Sequence, residues 1–93
     1  MKTINLIFPK SETRLAGFPY GEEVYKSQVQ DIISFDDNLT IVFPDQIEKV
    51  ASSFVQGFFA NLVMNIGYKG IERNVIIKTK NEVLTASIRK NIY

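Results

Sequence analysis

The stretch Leu39-Thr40-Ile41-Val42-Phe43 restricts the fold more than any other part of the chain. It is a nearly continuous run of β-forming residues, bounded by the turn signal Asp36-Asp37-Asn38 and by Pro44. A strand that alternates apolar and polar side chains can leave one face in water. A run without that alternation suits a strand covered on both faces, which is the setting of a parallel or mixed sheet with helices against it.

The neighbouring segments supply the rest of such a sheet. Thr3 to Phe8 reads as a strand ended by Pro9. Ser11 to Gly17 is open between a short return strand and a loop, and Gly17-Phe18-Pro19-Tyr20-Gly21 reads as a turn. A helix is expected from about Gly21 to Ser34, with Glu22 and Glu23 at its positive end and Val24, Val29, Ile32 and Ile33 as its apolar stripe. Asp45 to Ala51 reads as a connection. Ser52 is then the expected N-cap of the longest helix, Ser53 to about Ile66, with Gly67 as its C-cap. Phe54, Val55, Phe58, Phe59, Leu62, Val63 and Ile66 cover about half of that helix's circumference. Asn74 to Thr79 is a further strand, and Asn81 caps a last helix carrying Val83, Leu84, Ile88 and Ile92.

The order predicts an α/β fold: a small mixed, mainly parallel sheet of about four strands with about three helices and right-handed crossovers. With 93 residues, one domain spanning 1–93 is expected. The apolar arc of the longest helix is wide enough to leave a homodimer open as an alternative to burial within one chain.

Function classes fall away by composition. There is no Cys and no His, which removes thiol nucleophiles, disulfides, Cys/His zinc sites and imidazole bases. An enzyme would have to work with carboxylates, Lys or Tyr, and no carboxylate pair is set by spacing. A non-catalytic protein without a cofactor is therefore expected. No metal site is assigned either. Asp36-Asp37-Asn38 lacks the later ligands and the Gly of a calcium loop. Glu22 and Glu23 are adjacent on a helix and diverge by about 100°. Backbone N–H groups of Gly17-x-Pro19-x-Gly21 could meet an anion, but no Gly-Lys-Ser/Thr follows and a structural turn is the simpler reading. No apolar run is long enough for a signal-peptide core or a membrane span, so a cytoplasmic protein is expected.

The net charge of +1 hides a polarity: residues 1–61 carry a net −3 and residues 62–93 a net +4. Lys78, Lys80, Arg89 and Lys90 form the candidate basic surface. The near-zero total argues against a nucleic-acid binder, and the strand 74–80 lacks the aromatics of an RNA-reading sheet. An acidic protein surface is the alternative partner. Ser52-Ser53 is read first as a helix cap. A phosphoryl group there would face free backbone amides and the positive helix end, which makes the pair a candidate switch.

Gly17-Phe18-Pro19-Tyr20-Gly21, a helix, Leu39–Phe43, Ala51-Ser52-Ser53-Phe54, Phe58-Phe59 and Gly67 follow one order. That order resembles the bacterial STAS-like domain family of unknown function, related in fold to the anti-sigma-factor antagonists. The likeness runs from about Phe8 to Tyr93. It implies a regulatory module whose serine at the start of the long helix is phosphorylated by a partner ATPase of the histidine-kinase-like fold. Ser53 stands at that position, with Ser52 before it. Phe18 stands where the family has Arg, Val42 where an acidic residue ends the strand, Gln56-Gly57 where it has Asp-Glu, and Ala51 where antagonists often carry Asp. The resemblance implies docking of a protein partner through the loop and helix start at 44–57. The candidate contact residues are Phe18, Tyr20, Phe43, Pro44, Phe54 and Gln56. The alternative is a phage or mobile-element inhibitor or adaptor that binds through its surface without phosphorylation.

Overall fold

The computed structural model describes residues 2–34 and 38–93. Along the chain come β1 (Lys2–Asn5), β2 (Arg14–Leu15), α1 (Phe18–Gln28), β3 (Leu39–Val42), β4 (Lys49–Val50), α2 (Ser52–Asn74), β5 (Val75–Lys78) and α3 (Glu82–Ile92). The apolar run is the middle strand of a three-stranded sheet ordered β1-β3-β5, with both pairings parallel. Phe43 continues the ladder by donating its N–H to the Lys78 carbonyl at 2.9 Å, and Pro44 then ends it.

The expected single sheet of about four strands is instead two sheets. β2 pairs with β4, in parallel and two residues long, apart from the main sheet. The ambiguous Ser11–Gly17 stretch thus contains a strand, and so does the expected connection at 45–51. Side chains hold these two segments together as well. The Gln46 amide donates to the carbonyls of Pro9 and Glu12, and the Glu48 N–H donates to Thr13 at 2.7 Å.

Both crossovers of the main sheet run in the same direction, and right-handed connections then put α1 and α2 on one face. Burial follows that geometry. Ile4, Ile41 and Ile77 sit side by side and buried beneath the helices, while Thr3, Asn5, Ile76 and Lys78 face away and are exposed. The wide apolar arc of α2 finds its cover inside the chain, since Phe54, Val55, Phe58, Phe59 and Leu62 are all buried. Phe58 is the hub. Its ring meets Phe59 at 4.9 Å and Tyr25 at 5.7 Å edge-on, and stacks on Phe54 at 6.0 Å.

Several expected boundaries move for identifiable reasons. α1 begins at Phe18 because proline is at home in the first turn of a helix, so the Gly-Phe-Pro signal opens the helix instead of delaying it. Glu22 and Glu23 consequently lie beyond the first turn, and α1 ends at Gln28, short of Ser34. α2 bends at Gly67, whose φ of 71° breaks the helical path and which an L side chain tolerates poorly. A further helical stretch to Asn74 then delivers the chain to β5. Asn81 caps α3 as expected, its side chain accepting the Leu84 N–H at 2.8 Å. Leu84, Ile88 and Ile92 are buried, whereas Val83 projects into solvent. The turn at Asp36 and Asp37 lies outside the described residues. Among the described residues, no helix is long and apolar enough to cross a membrane.

Candidate functional site

The start of α2 is built from Ala51, Ser52 and Ser53. Ala51 is extended (φ −71°, ψ 152°), and no side chain caps the helix. Ser52 therefore is not the N-cap expected from sequence. It is the first helical residue, and its side chain is exposed. The helix's opening N–H groups lack the side-chain acceptor that Ser, Thr or Asp at position 51 would supply.

Ser53 acts across the fold. Its hydroxyl oxygen accepts the Gly17 N–H at 2.9 Å, tying the start of α2 to the start of α1 over 36 positions of sequence. Beside this link Ala51 donates its N–H to the Leu15 carbonyl at 2.8 Å, so β2 hands the chain directly to both helix starts. Two of the four N–H groups in the Gly17–Gly21 segment are engaged within the fold. The Gly17 N–H is engaged by Ser53 and the Gly21 N–H by the Gly17 carbonyl at 3.0 Å.

The two helices cross without a side chain between them. A Cβ on Gly57 would collide with the backbone of Phe18, and a Cβ on Gly21 with the backbone of Phe54 and Phe58. Gly57 thus has no room for a side chain, because α1 occupies the space.

Tyr20 closes the outer side of this crossing. Its ring packs edge-on against Phe8 at 6.5 Å and Phe54 at 5.6 Å, and its hydroxyl donates to Glu12 at 2.9 Å. Burial first, then the bond to Glu12 and the negative charges of Glu12 and Glu23, push its pKa up to about 12. Tyr25, on the inner side, donates to Asn61 at 3.1 Å, and burial alone pushes it up to about 12. Both tyrosines are neutral donors near neutral pH.

The expected contact residues divide by burial. Phe18 is 42% exposed, Gln56 is exposed, and Pro44 and Tyr20 are half-buried. Phe43 and Phe54 retain 1% and 0% of their surface and cannot be anchors for a partner. Both sit at element ends in sequence, but their side chains alternate inward, and Phe54 fills the space between Phe8, Tyr20 and Phe58. The basic residues divide too. Lys78 and Lys80 line one groove together with Glu82, and Lys80 also lies 3.9 Å from Glu48. Arg89 instead donates to the Val75 carbonyl at 2.6 Å, and Lys90 is exposed in the last turn of α3.

Sequence reasoning included Gly17, Gln46 and Gly57 in its candidate segments without the contacts that tie those segments together, and it missed Glu12. Only the Gly before Phe-Pro carried a local signal, since the other three act on segments distant in sequence. Among the described residues, no three carboxylates come close enough to hold a metal ion. No protein-family model, curated protein or solved structure matches the chain.

Proposed function

We propose that the chain is a non-catalytic, protein-binding regulatory module of the STAS-like type, engaging a protein partner through the segment 44–57. The observation that supports it best is the Ser53–Gly17 hydrogen bond beside an uncapped helix start. A phosphoryl group on Ser53 would bring a charge of about −2 to the positive end of α2. It would also replace the hydroxyl that holds Gly17, so the change would reach α1 and the exposed Phe18. Ser52, exposed one residue earlier, is the more accessible acceptor for the same modification. The reading makes the surface of Phe18, Pro44 and Gln56 the part that a partner feels, with Phe43 and Phe54 as its support from below.

The test is affinity capture with quantitative mass spectrometry, using wild type, Ser53→Ala, Ser53→Asp and Ser52→Asp. A partner of the ATPase or regulator class should be recovered by wild type and by Ser53→Ala. Its recovery should fall at least about tenfold with an Asp at one of the two serines, a difference of about 1.4 kcal/mol. Equal recovery by all four proteins would end the switch reading.

A further inference from the structure

Among the described residues, helices cover only one face of the three-stranded sheet. Side chains alternate along each strand, so the paired rows Thr3–Thr40–Ile76 and Asn5–Val42–Lys78 share the opposite face. Thr40 is shielded in the middle of its row, but Thr3, Asn5, Ile76 and Lys78 are exposed. Ile76 keeps 43% of its surface in water, and Ile7, one step further along the same side of β1, keeps 76%. Purely parallel sheets are found with both faces covered. This one, parallel in both pairings, has one face without a covering layer among the described residues.

We propose that the bare face is a docking surface for an acidic amphipathic helix of a protein partner. Three observations select that occupant. The first is charge: Lys78 is the one charged side chain in the two rows and neither row holds a carboxylate, while further along the groove Lys80 is offset by Glu82 and by Glu48 at 3.9 Å, so Lys78 carries the charge of the face. The second is shape. Three strands span about 10 Å between their outer axes, the width of one helix with its side chains. A groove of about 400 Å³ beside Thr3, Asn5, Ile7 and Ile32 and one of about 590 Å³ beside Ile76, Lys78 and Lys80 flank the face. Side chains from both flanks of a helix have room there. The third is area. Four-residue strands three abreast offer on the order of 200 Å² per molecule, about 400 Å² in total between two copies, below the roughly 1,200 Å² total of a stable interface. A single helix held by Val42, Ile76 and Ile7 with its carboxylates toward Lys78 suits that size, as a transient contact.

The test uses the full chain, isotope-labelled for NMR, and two designed probes. One is an amphipathic helical peptide of about 14 residues (about 21 Å long) with Leu on one face and Glu elsewhere. The other replaces each Glu by Lys. Titration to about 1 mM of the Glu peptide should give saturable shifts at the amides of Thr3, Thr40, Val42, Ile76 and Lys78, and the Lys peptide should give none. Lys78→Glu should weaken the Glu peptide about fivefold and let the Lys peptide bind. Ile76→Asp should abolish binding of the Glu peptide. Lys78→Glu is expected to keep the parent's thermal midpoint and Ile76→Asp to lower it by a few degrees, with both proteins folded at the temperature of the titration. No saturable shift, shifts on the α2 side instead, or equal binding of both peptides would overturn the proposal. Sedimentation showing a dimer that Ile76→Asp dissociates would assign the face to a second copy and overturn it as well.

Discussion

Gly57→Ala sets two known effects against each other, and the structure decides which wins. In the interior of a helix, Gly to Ala is stabilising by about 1 kcal/mol on propensity alone. At Gly57, however, the added Cβ would lie 2.9 Å from the carbonyl carbon of Phe18 and 3.0 Å from its Cα, and closer still to its carbonyl oxygen. Ordinary contacts between such atoms are about 3.5–4.0 Å. The opposing atoms are backbone, so no side chain can swing aside, and α1 must retreat from α2 by on the order of 1 Å. A gap of 0.5–1 Å forfeits about a quarter to a half of each contact's attraction. That loss falls on an interface holding Tyr25, Phe54 and Phe58. Overpacking of this kind costs about 1–3 kcal/mol, and the loosened interface adds to it. Against the propensity gain, the net expectation is a destabilisation of about 1–2 kcal/mol, at the upper end of the overpacking range because the opposing atoms are backbone. For a domain of this size that lowers the thermal midpoint by about 5–15 °C. Urea unfolding followed by far-UV circular dichroism should show a lower midpoint at unchanged slope. Gly21→Ala presses on the same crossing from the other helix, so the double variant should cost less than the sum of the two. A Gly57→Ala protein as stable as its parent, or more so, would refute the close crossing.

Two further outcomes follow from the same region. Ser53→Ala should cost about 1–2 kcal/mol by leaving the part-buried Gly17 N–H without an acceptor, and should speed hydrogen exchange at that amide, while Ser52→Ala should stay within about 0.5 kcal/mol of the parent. The raised phenols tie stability to alkaline pH. Tyr20 and Tyr25 hold their protons to about pH 12 when folded, whereas unfolded tyrosine releases its proton near pH 10. Stability from these groups is complete below about pH 10 and is lost as pH rises toward about 12. Phenolate absorbance should show these two ionising late, together with unfolding. Tyr20→Phe should flatten the alkaline decline. Ionisation of Tyr20 and Tyr25 near pH 10 in a still-folded protein would refute the assignment.

What the sequence made legible were features with a local cause. The unbroken run at 39–43 became the central strand, Gly67 broke the long helix, and Asn81 capped the last one. The parallel α/β character followed from the alternation of segments. The second sheet did not, because strands of two residues carry no periodicity and β2 finds β4 far along the chain. The start of α1 was hidden by treating proline as a stop when the first helical turn accepts it. The candidate site was only half legible. Ser52 and Ser53 drew attention through position alone, but the partner of the Ser53 hydroxyl is a backbone group 36 residues away. Phe43 and Phe54 looked available because they border turns, and only the packing shows them enclosed.

The pairing pattern also bears on how the molecule comes into being. Lys2 meets Leu39, Arg14 meets Lys49, and Leu39 meets Val75, so among the described residues every ladder joins positions about 36 apart and no two strands form a hairpin. Each pairing must close a long loop before it gains anything in return. Little of the sheet can persist on its own early in folding, and the first lasting order falls to α2, the one long local element. Chains of this topology fold slowly for their length, and one emerging from the ribosome would have to expose its apolar strands until α2 had arrived to cover them.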